Sequence, residues 1–399
     1  VCLIPKSLEM PDLARQQIAA DAELLVVKIG TRCLANPDGS LDEGQVESIA
    51  KQLVEIGAGT TRRVILVSSG AVGAGIGLLG LLKRPTDLPS LQAAAAVGQS
   101  HMIEAYNRAF QEHGLLAAQV LLTGDDINDR RRYLNTRNAL LSLFEYGAIP
   151  IVNENDTVRT NELARTMGDN DMLAAMVTNL VRASLLIILT DVDGLYDGDP
   201  KDADSSVIEM LSTVDANAEG FVQTGPNPSE GVALSTGGMA SKLRAAQLAT
   251  QAGESVILAN GRRPNILVDL LAGEPLGTLM PGQGEQITER KRWLGYAAQP
   301  VGAVSLDAGA VRAVEAKGKS VLPVGITAVT GTFDKGDLVS VIDAQGEEIA
   351  RGLTNYSSLD MSKILGLPSD AIAGVLGRAP YAVAIHRNDL TLVRAGASS

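Results

Sequence analysis

Six short aliphatic runs recur along the first two-thirds of the chain: ELLVVKIG (23–30), RRVILVSSG (62–70), LLAAQVLLTG (115–124), AIPIVNEN (148–155), SLLIILTDVDG (184–194) and SVILANG (255–261). Most of these runs are unbroken, without alternation of apolar and polar residues. A strand buried on both sides reads this way, whereas a strand with one wet face alternates. Between the runs lie segments with apolar residues at helical spacing: DEGQVESIAKQLVEIGAG (42–59), SLQAAAAVGQSHMIEAYNRAFQEHG (90–114), INDRRRYLNTRNALLSLFEYG (127–147), NDMLAAMVTNLVRA (170–183) and GGMASKLRAAQLATQAG (237–253). Strand and helix therefore alternate. This predicts an α/β fold, a three-layer αβα sandwich on a mostly parallel sheet. Ser90 is the expected N-cap of its helix. Aromatic residues make up only 3% of the chain, so the core has to be aliphatic.

The pattern changes near MPGQGEQITERKRW (280–293). Beyond it, short strand-like pieces such as GAVSLDAGA, GITAVTG and YAVAIHRNDLTLV alternate with Gly, Asp and Pro turns, which predicts a small β-rich module. The expected organisation is an N-terminal extension over 1–22, an α/β domain over 23–285 and a β-rich domain over 290–390. Residues 1–22 carry Lys, Pro and Glu early and no long apolar run, so they read as a peripheral extension rather than a secretory signal.

The formal net charge of −12 argues against a chain-wide nucleic-acid or membrane-surface role. From Arg290 onward there are 12 Lys/Arg against 10 Asp/Glu, too even for a basic patch. Two cysteines, Cys2 and Cys33, make neither a disulfide framework nor a zinc pattern, which points to a reducing, cytoplasmic setting. No run of about 18 apolar residues would span a membrane.

In parallel sheets, ligands gather beyond the carboxyl ends of the strands. The polar residues of this chain fall there, at Lys28, Ser69, Asn153 and Thr190. VVKIGT puts an ammonium at a strand end beside a glycine turn, where it either meets phosphate or extends to solvent. VSSGAVGAGIGLLG (67–80) is a Gly-rich strand-to-helix turn. It has no Gly-Lys-Ser/Thr, and its GIGLLG (75–80) starts too far beyond the strand for a dinucleotide fingerprint. VNEND and MGDND (152–156 and 167–171) are dense in carboxylates and amides. Either they make turns and helix caps, or they hold a substrate ammonium, a substrate carboxylate or Mg²⁺. TDVDGLYDGDP (190–200) suits a nucleotide base and ribose, or a plain surface loop. TGGMASK (236–242) brings Lys242 to the start of a helix, where it opposes the helix dipole unless an anion sits nearby. His101, His113 and His386 are scattered, with no metal spacing and no sign of a histidine base.

In this order and spacing, VVKIGT, VSSGA, AAVGQ, VNEND, GDND, LTDVDGLY and TGGMASK resemble the glutamate 5-kinases of the amino-acid kinase superfamily. The C-terminal module, with RKRW and GITAVTGTFDKGD, looks like the PUA domain often fused to them. The resemblance implies the amino-acid kinase fold plus a PUA domain. It also implies MgATP-dependent phosphorylation of the γ-carboxylate of L-glutamate, the first step of proline synthesis. In that reading Lys28 and Lys242 flank the transferring phosphoryl group. Asp171 organises the two lysines or the metal. Ser69, Asp156, Asn170 and Asp169 lie at the glutamate end. Lys28, Thr190, Asp191 and the segment Thr236, Gly237, Gly238, Met239, Ala240, Ser241 and Lys242 contact ATP. Asn153, Glu154 and Asn155 are read mostly as turn chemistry. The resemblance further implies feedback inhibition by L-proline, a homo-oligomer and a glutamyl-phosphate reductase as partner, and leaves RNA binding open. The alternatives are another carboxylate kinase of the superfamily, or an RNA-binding or regulatory protein acting through its C-terminal domain.

Overall fold

The structure, a computed structural model, describes residues 10–158, 170–202, 204–214, 238–283, 295, 299–377 and 381–393. The chain divides into two compact units, one of residues 1–127 and 131–285, the other of 128–130 and 286–399.

The strands of the first unit are β1 (Leu24–Ile29), β2 (Arg63–Ser68), β3 (Leu116–Leu122), β4 (Ala148–Glu154), β5 (Leu185–Thr190), β6 (Ser255–Asn260) and β7 (Thr278–Met280). They form one sheet in the order β3-β4-β2-β1-β5-β6-β7, parallel except for β7, which pairs antiparallel with β6. Helix α1 (Met10–Asp21) precedes them, and between them run α2 (Thr31–Leu34), α3 (Glu43–Gly57), α4 (Ala71–Leu78), α5 (Leu88–Gln111), α6 (Gly124–Asn128), α7 (Arg130–Glu145), α8 (Asn170–Val181), α9 (Met239–Gln251) and α10 (Ile266–Leu271). Helices α3, α5 and α10 cover one face, where Leu25, Val27, Ile29, Leu66, Ile187 and Leu189 meet Ile49, Leu53, Tyr106 and Phe110. Helices α8 and α9 lie together, with α8 against β1, β2, β4 and β5 and α9 against β6. The three-layer αβα reading thus holds, and the aliphatic runs are buried strands.

Two local expectations change. The N-cap of α5 is Asp87, whose carboxylate accepts from the Ser90 amide at 2.9 Å, so the helix begins ahead of Ser90. The Gly-rich turn after β2 is shorter than its glycines suggest. Gly70 takes the left-handed conformation (φ 108°) and α4 begins at the next residue; the other left-handed glycine of the stretch, Gly80 (φ 63°), lies beyond the end of α4. Gly75 serves packing instead: a Cβ there would stand 1.8 Å from the Ala94 carbonyl oxygen of α5. A Cβ on Gly98 of α5 would stand 1.8 Å from the Ala71 carbonyl oxygen of α4.

Helix α1 is fastened to the first unit by Arg15, which is 2% exposed. Its guanidinium donates to the carbonyl oxygens of Leu276 at 2.7 Å, Gly277 at 2.8 Å and Glu209 at 2.5 Å.

The second unit holds β8 (Gly302–Leu306), β9 (Ile326–Gly331), β10 (Leu338–Ile342), β11 (Glu348–Thr354) and β12 (Ile385–Leu392), with α11 (Ala308–Lys317), α12 (Ser358–Ile364) and α13 (Ile372–Leu376). Its mixed sheet runs β12-β11-β10-β8-β9 around a core that includes Val304, Val339, Val341, Ile349 and Met361. Among the described residues, no helix is long and apolar enough to cross a membrane.

Candidate active site

The polar strand ends converge because their strands are neighbours. In the sequence β4-β2-β1-β5, the carboxyl ends present Asn153, Ser69, Lys28 and Thr190 along one edge of the sheet. The direction of chain crossover reverses about β1, which opens the crevice where ligands of such sheets bind. Side chains alternate along a strand. Leu25, Val27 and Ile29 join the core under α3 and α5, so Lys28 points to the opposite face, against α8.

Asp171, the second residue of α8, meets it there. Asp171 is fully buried, Lys28 is 3% exposed and Lys242 is 8% exposed. Asp171 Oδ1 lies 2.5 Å from Lys28 Nζ, and Asp171 Oδ2 accepts a hydrogen bond from Lys242 Nζ at 3.0 Å. Two ammonium groups from separate elements thus converge on one carboxylate. Burial by itself raises the Asp171 carboxyl pKa, but the charges and hydrogen bonds of Lys28 and Lys242 outweigh it and hold the group below the usual carboxylate range. The same contact explains a lysine in the first turn of α9, where the dipole disfavours it.

A second group lies beside the first. Asn170 Nδ2 donates to Ser69 Oγ at 2.9 Å and Asn153 Oδ1 at 2.8 Å, and approaches the Ser68 carbonyl oxygen at 3.3 Å. Asn170 therefore ties the ends of β2 and β4 to the start of α8. Its own Oδ1 is buried and accepts from no donor among the described residues. A buried acceptor left this way is costly unless a ligand supplies the donor. Behind this group, Ser68 Oγ lies 3.2 Å from the hydroxyl of fully buried Tyr106 on α5.

Asn153 is the residue that the sequence undervalued. It is 3% exposed, and its Oδ1 accepts from both Asn170 Nδ2 and the Glu154 amide, the latter at 2.9 Å. Asn155 does make turn chemistry: its Oδ1 accepts from Thr157 Oγ1 at 2.6 Å. A polar residue at the end of a two-sided buried strand was the available signal for Asn153. Asp156 opens the short 3-10 turn Asp156–Val158, one residue after β4, half-buried and against α5.

A third group follows β5. Thr190 Oγ1 donates to Asp191 Oδ1 at 3.1 Å, and Arg32 Nη1 donates to Asp191 Oδ2 at 3.0 Å. Partial burial raises the Asp191 carboxyl pKa, but hydrogen bonds from Arg32, the backbone and Thr190 outweigh it and leave the group lowered. Gly238, Met239 and Ala240 form the start of α9. Gly238 is exposed and provides no side-chain cap, and Ser241 is buried behind it. Asp169, Thr236 and Gly237 lie outside the described residues.

Cys33, under the same edge, has its thiol pKa pushed up to about 11 by burial and by the Asp191 charge, so it stays neutral at ordinary pH. Among the described residues, no group of three or more His, Cys, Asp or Glu could hold a metal ion. Within the first unit, His101 of α5 faces Glu43 of α3 at 3.6 Å.

Residues 23–260 match the amino acid kinase family, and residues 302–376 match the PUA domain. A glutamate 5-kinase of Rhodopirellula baltica is 46% identical over 388 residues, covering 97% of this chain and 98% of its own length. One from Moorella thermoacetica is 43% identical over 380 residues, covering 94% of this chain and 97% of its own. Among solved structures, a UMP kinase from Ureaplasma parvum superposes with a TM-score of 0.43 at 16% identity, covering 65% of this chain and 99% of that one. The chain belongs to the amino acid kinase family and, within it, to the glutamate 5-kinases.

Proposed function

We infer that the protein transfers the γ-phosphoryl group of ATP to the γ-carboxylate of L-glutamate, giving L-glutamyl 5-phosphate, the first step of proline synthesis. The observation that carries this reading is the pair of buried lysines, Lys28 and Lys242, drawn onto Asp171 beside the polar group of Asn170, Ser69 and Asn153.

The chemistry asks for little else. A glutamate side chain, with an ordinary pKa of about 4.3, is already ionised near neutral pH, so its attack on phosphorus needs no general base. The difficulty is to bring two anions together and to neutralise the charge spread over the transferring phosphoryl oxygens. In this reading Lys28 and Lys242 flank those oxygens, one from the sheet and one from α9. Asp171 acts on them as a positioning residue. With both its oxygens facing ammonium groups, it holds the lysines rather than a metal.

Mg²⁺ suits this donor set as an ion carried by ATP, since it commonly keeps several waters and binds substrate phosphates with few protein ligands. When bound it would neutralise the phosphate oxygens. Thr190, Asp191 and the segment Thr236 to Lys242 take the nucleotide. Ser69, Asn170, Asp156 and Asp169 take glutamate. The unpartnered Oδ1 of Asn170 suits the α-ammonium, a group that an N-acylated glutamate lacks.

The near-complete coverage by glutamate 5-kinases favours this acceptor over other carboxylates used in the superfamily. The same reading proposes a cytoplasmic enzyme, where ATP and glutamate are supplied, with L-proline as feedback inhibitor. It also proposes a homo-oligomer whose labile acyl phosphate passes to a glutamyl-phosphate reductase. RNA contact would fall to the PUA-matched unit. An isotope experiment tests the transfer. Glutamate labelled with ¹⁸O in the γ-carboxyl should deliver one labelled oxygen to phosphate when the product breaks down. Unlabelled phosphate from this substrate, with label delivered instead from glutamate labelled in the α-carboxyl, would overturn the assignment.

A further inference from the structure

Arg32 stands out among the groups around the site because its backbone is fastened from both sides while its head, paired with Asp191, is largely exposed. It is the second residue of α2, just past Lys28, Ile29 and Gly30. Arg262, beyond the end of β6, donates through Nη2 to the carbonyl oxygens of Arg32, at 3.0 Å, and Ala35. Arg262 Nη1 is itself held by Asp42 Oδ2 at 2.7 Å. On the other side, the Gly30 amide donates to the Leu189 carbonyl oxygen at 3.1 Å, tying this turn to β5. The start of α2 is thus fixed relative to Lys28 and to the β5 end. The Arg32 side chain, by contrast, is 55% exposed, and its partner Asp191 is 38% exposed.

An ion pair this exposed contributes little to folding. It does keep a planar guanidinium at the carboxyl edge of the sheet, 3.0 Å from Asp191 at the end of β5 and four residues beyond Lys28 of the neighbouring strand. A guanidinium pairs with phosphate through two parallel N–H donors, a geometry that a lysine ammonium does not offer. The contact with Asp191 uses one donor of that fork, Nη1, and so already directs it at an anion.

We propose that Arg32 is a ligand for the polyphosphate chain of ATP, held in place by Asp191 until the nucleotide arrives. This rests on the nucleotide lying between Lys28 and Asp191, as the proposed function has it. On binding, Arg32 exchanges the Asp191 carboxylate for phosphate oxygens, and Asp191 turns to water or to the nucleoside. Arg32 then adds a cation remote from the acceptor, so its contribution concerns ATP and not glutamate.

The test is equilibrium binding to the full-length chain. ATP and ADP are titrated directly and adenosine by competition against a fluorescent adenine nucleotide, for the wild type, Arg32→Ala and Arg32→Lys. Loss of a charge-assisted phosphate contact is worth about 10- to 100-fold in affinity. Arg32→Ala should lose that much for ATP and keep its adenosine affinity within about two-fold, and Arg32→Lys should recover part of the loss. Unchanged ATP affinity would overturn the proposal. So would an equal loss for adenosine, which would make Arg32 a structural residue of the β1 turn. Binding is read without turnover, so a wild type that bound ATP but did not phosphorylate glutamate would count against the acceptor only.

Discussion

Asp171 and Lys28 come from elements 143 positions apart in the chain's order of residues, yet Asp171 Oδ1 lies 2.5 Å from Lys28 Nζ in a place that solvent barely reaches. The contact joins the amino end of α8 to the carboxyl end of β1. Lys242 completes it from α9. The three side chains behave as one unit, and the first predictions concern its members.

Lys242→Ala should lower kcat by about 100- to 1,000-fold, the scale of removing one preorganised group from a developing charge. Asp171 keeps Lys28, so the variant should fold, with a circular dichroism spectrum like that of the wild type. Near-normal turnover would remove Lys242 from the mechanism.

Asp171→Asn should be worse for the fold than for binding. It leaves two buried ammonium groups without their carboxylate, and breaking a buried pair costs about 3–5 kcal/mol. Denaturant unfolding measures this. A variant as stable as the wild type would mean that the lysines do not depend on Asp171.

The same carboxylate sets an acid limit. Its folded pKa is lowered, so in acid the unfolded state binds the proton first, and stability rises with pH there. The contribution is fully present above the unfolded value of about 3.9 and is lost as pH falls through the folded one. Unfolding free energies measured between about pH 5 and pH 2 should therefore fall more steeply for the wild type than for Asp171→Asn. Parallel curves would contradict the assignment.

Asn153→Ala should raise KM for glutamate about 10-fold and leave KM for ATP near its original value. The substitution removes one of the acceptors that orient Asn170, and a misplaced or unsatisfied buried amide costs on this scale. Equal changes in both constants would point to general loosening of the sheet edge instead.

Gly98→Ala should destabilise the first unit by on the order of 3 kcal/mol, because its methyl would fall on the Ala71 carbonyl of α4 and backbone must shift to admit it. Since α4 follows directly on Ser69 and Gly70, activity at saturating ATP should fall as well. A thermal midpoint unchanged from the wild type would show that the helix pair yields.

These residues also show where the sequence was readable. The strands were legible because burial on both faces leaves unbroken aliphatic runs, and with them came the site edge, since the site lies where those runs end. Lys28, Ser69, Asn170, Asp171 and Lys242 were visible as polar groups at strand ends and helix starts. Asn153 was not separated from its neighbours, because a turn asparagine and a buried one look alike until Asn170 returns from a different helix. Asp87 displaced Ser90 as a cap for a similar reason, since either side chain can serve and local geometry decides. The glycines at 75 and 98 spoke of close approach without saying to what. Arg32 and Asp191 lie on separate elements, and their pairing rests on the order of the strands, which no local pattern contains.

The most direct measurement is to trap the product with hydroxylamine. The full-length protein with MgATP and hydroxylamine should form γ-glutamyl hydroxamate from L-glutamate, in step with ADP release, and little or none from N-acetylglutamate. ADP release without hydroxamate, or equal trapping with the acetylated acceptor, would contradict the account.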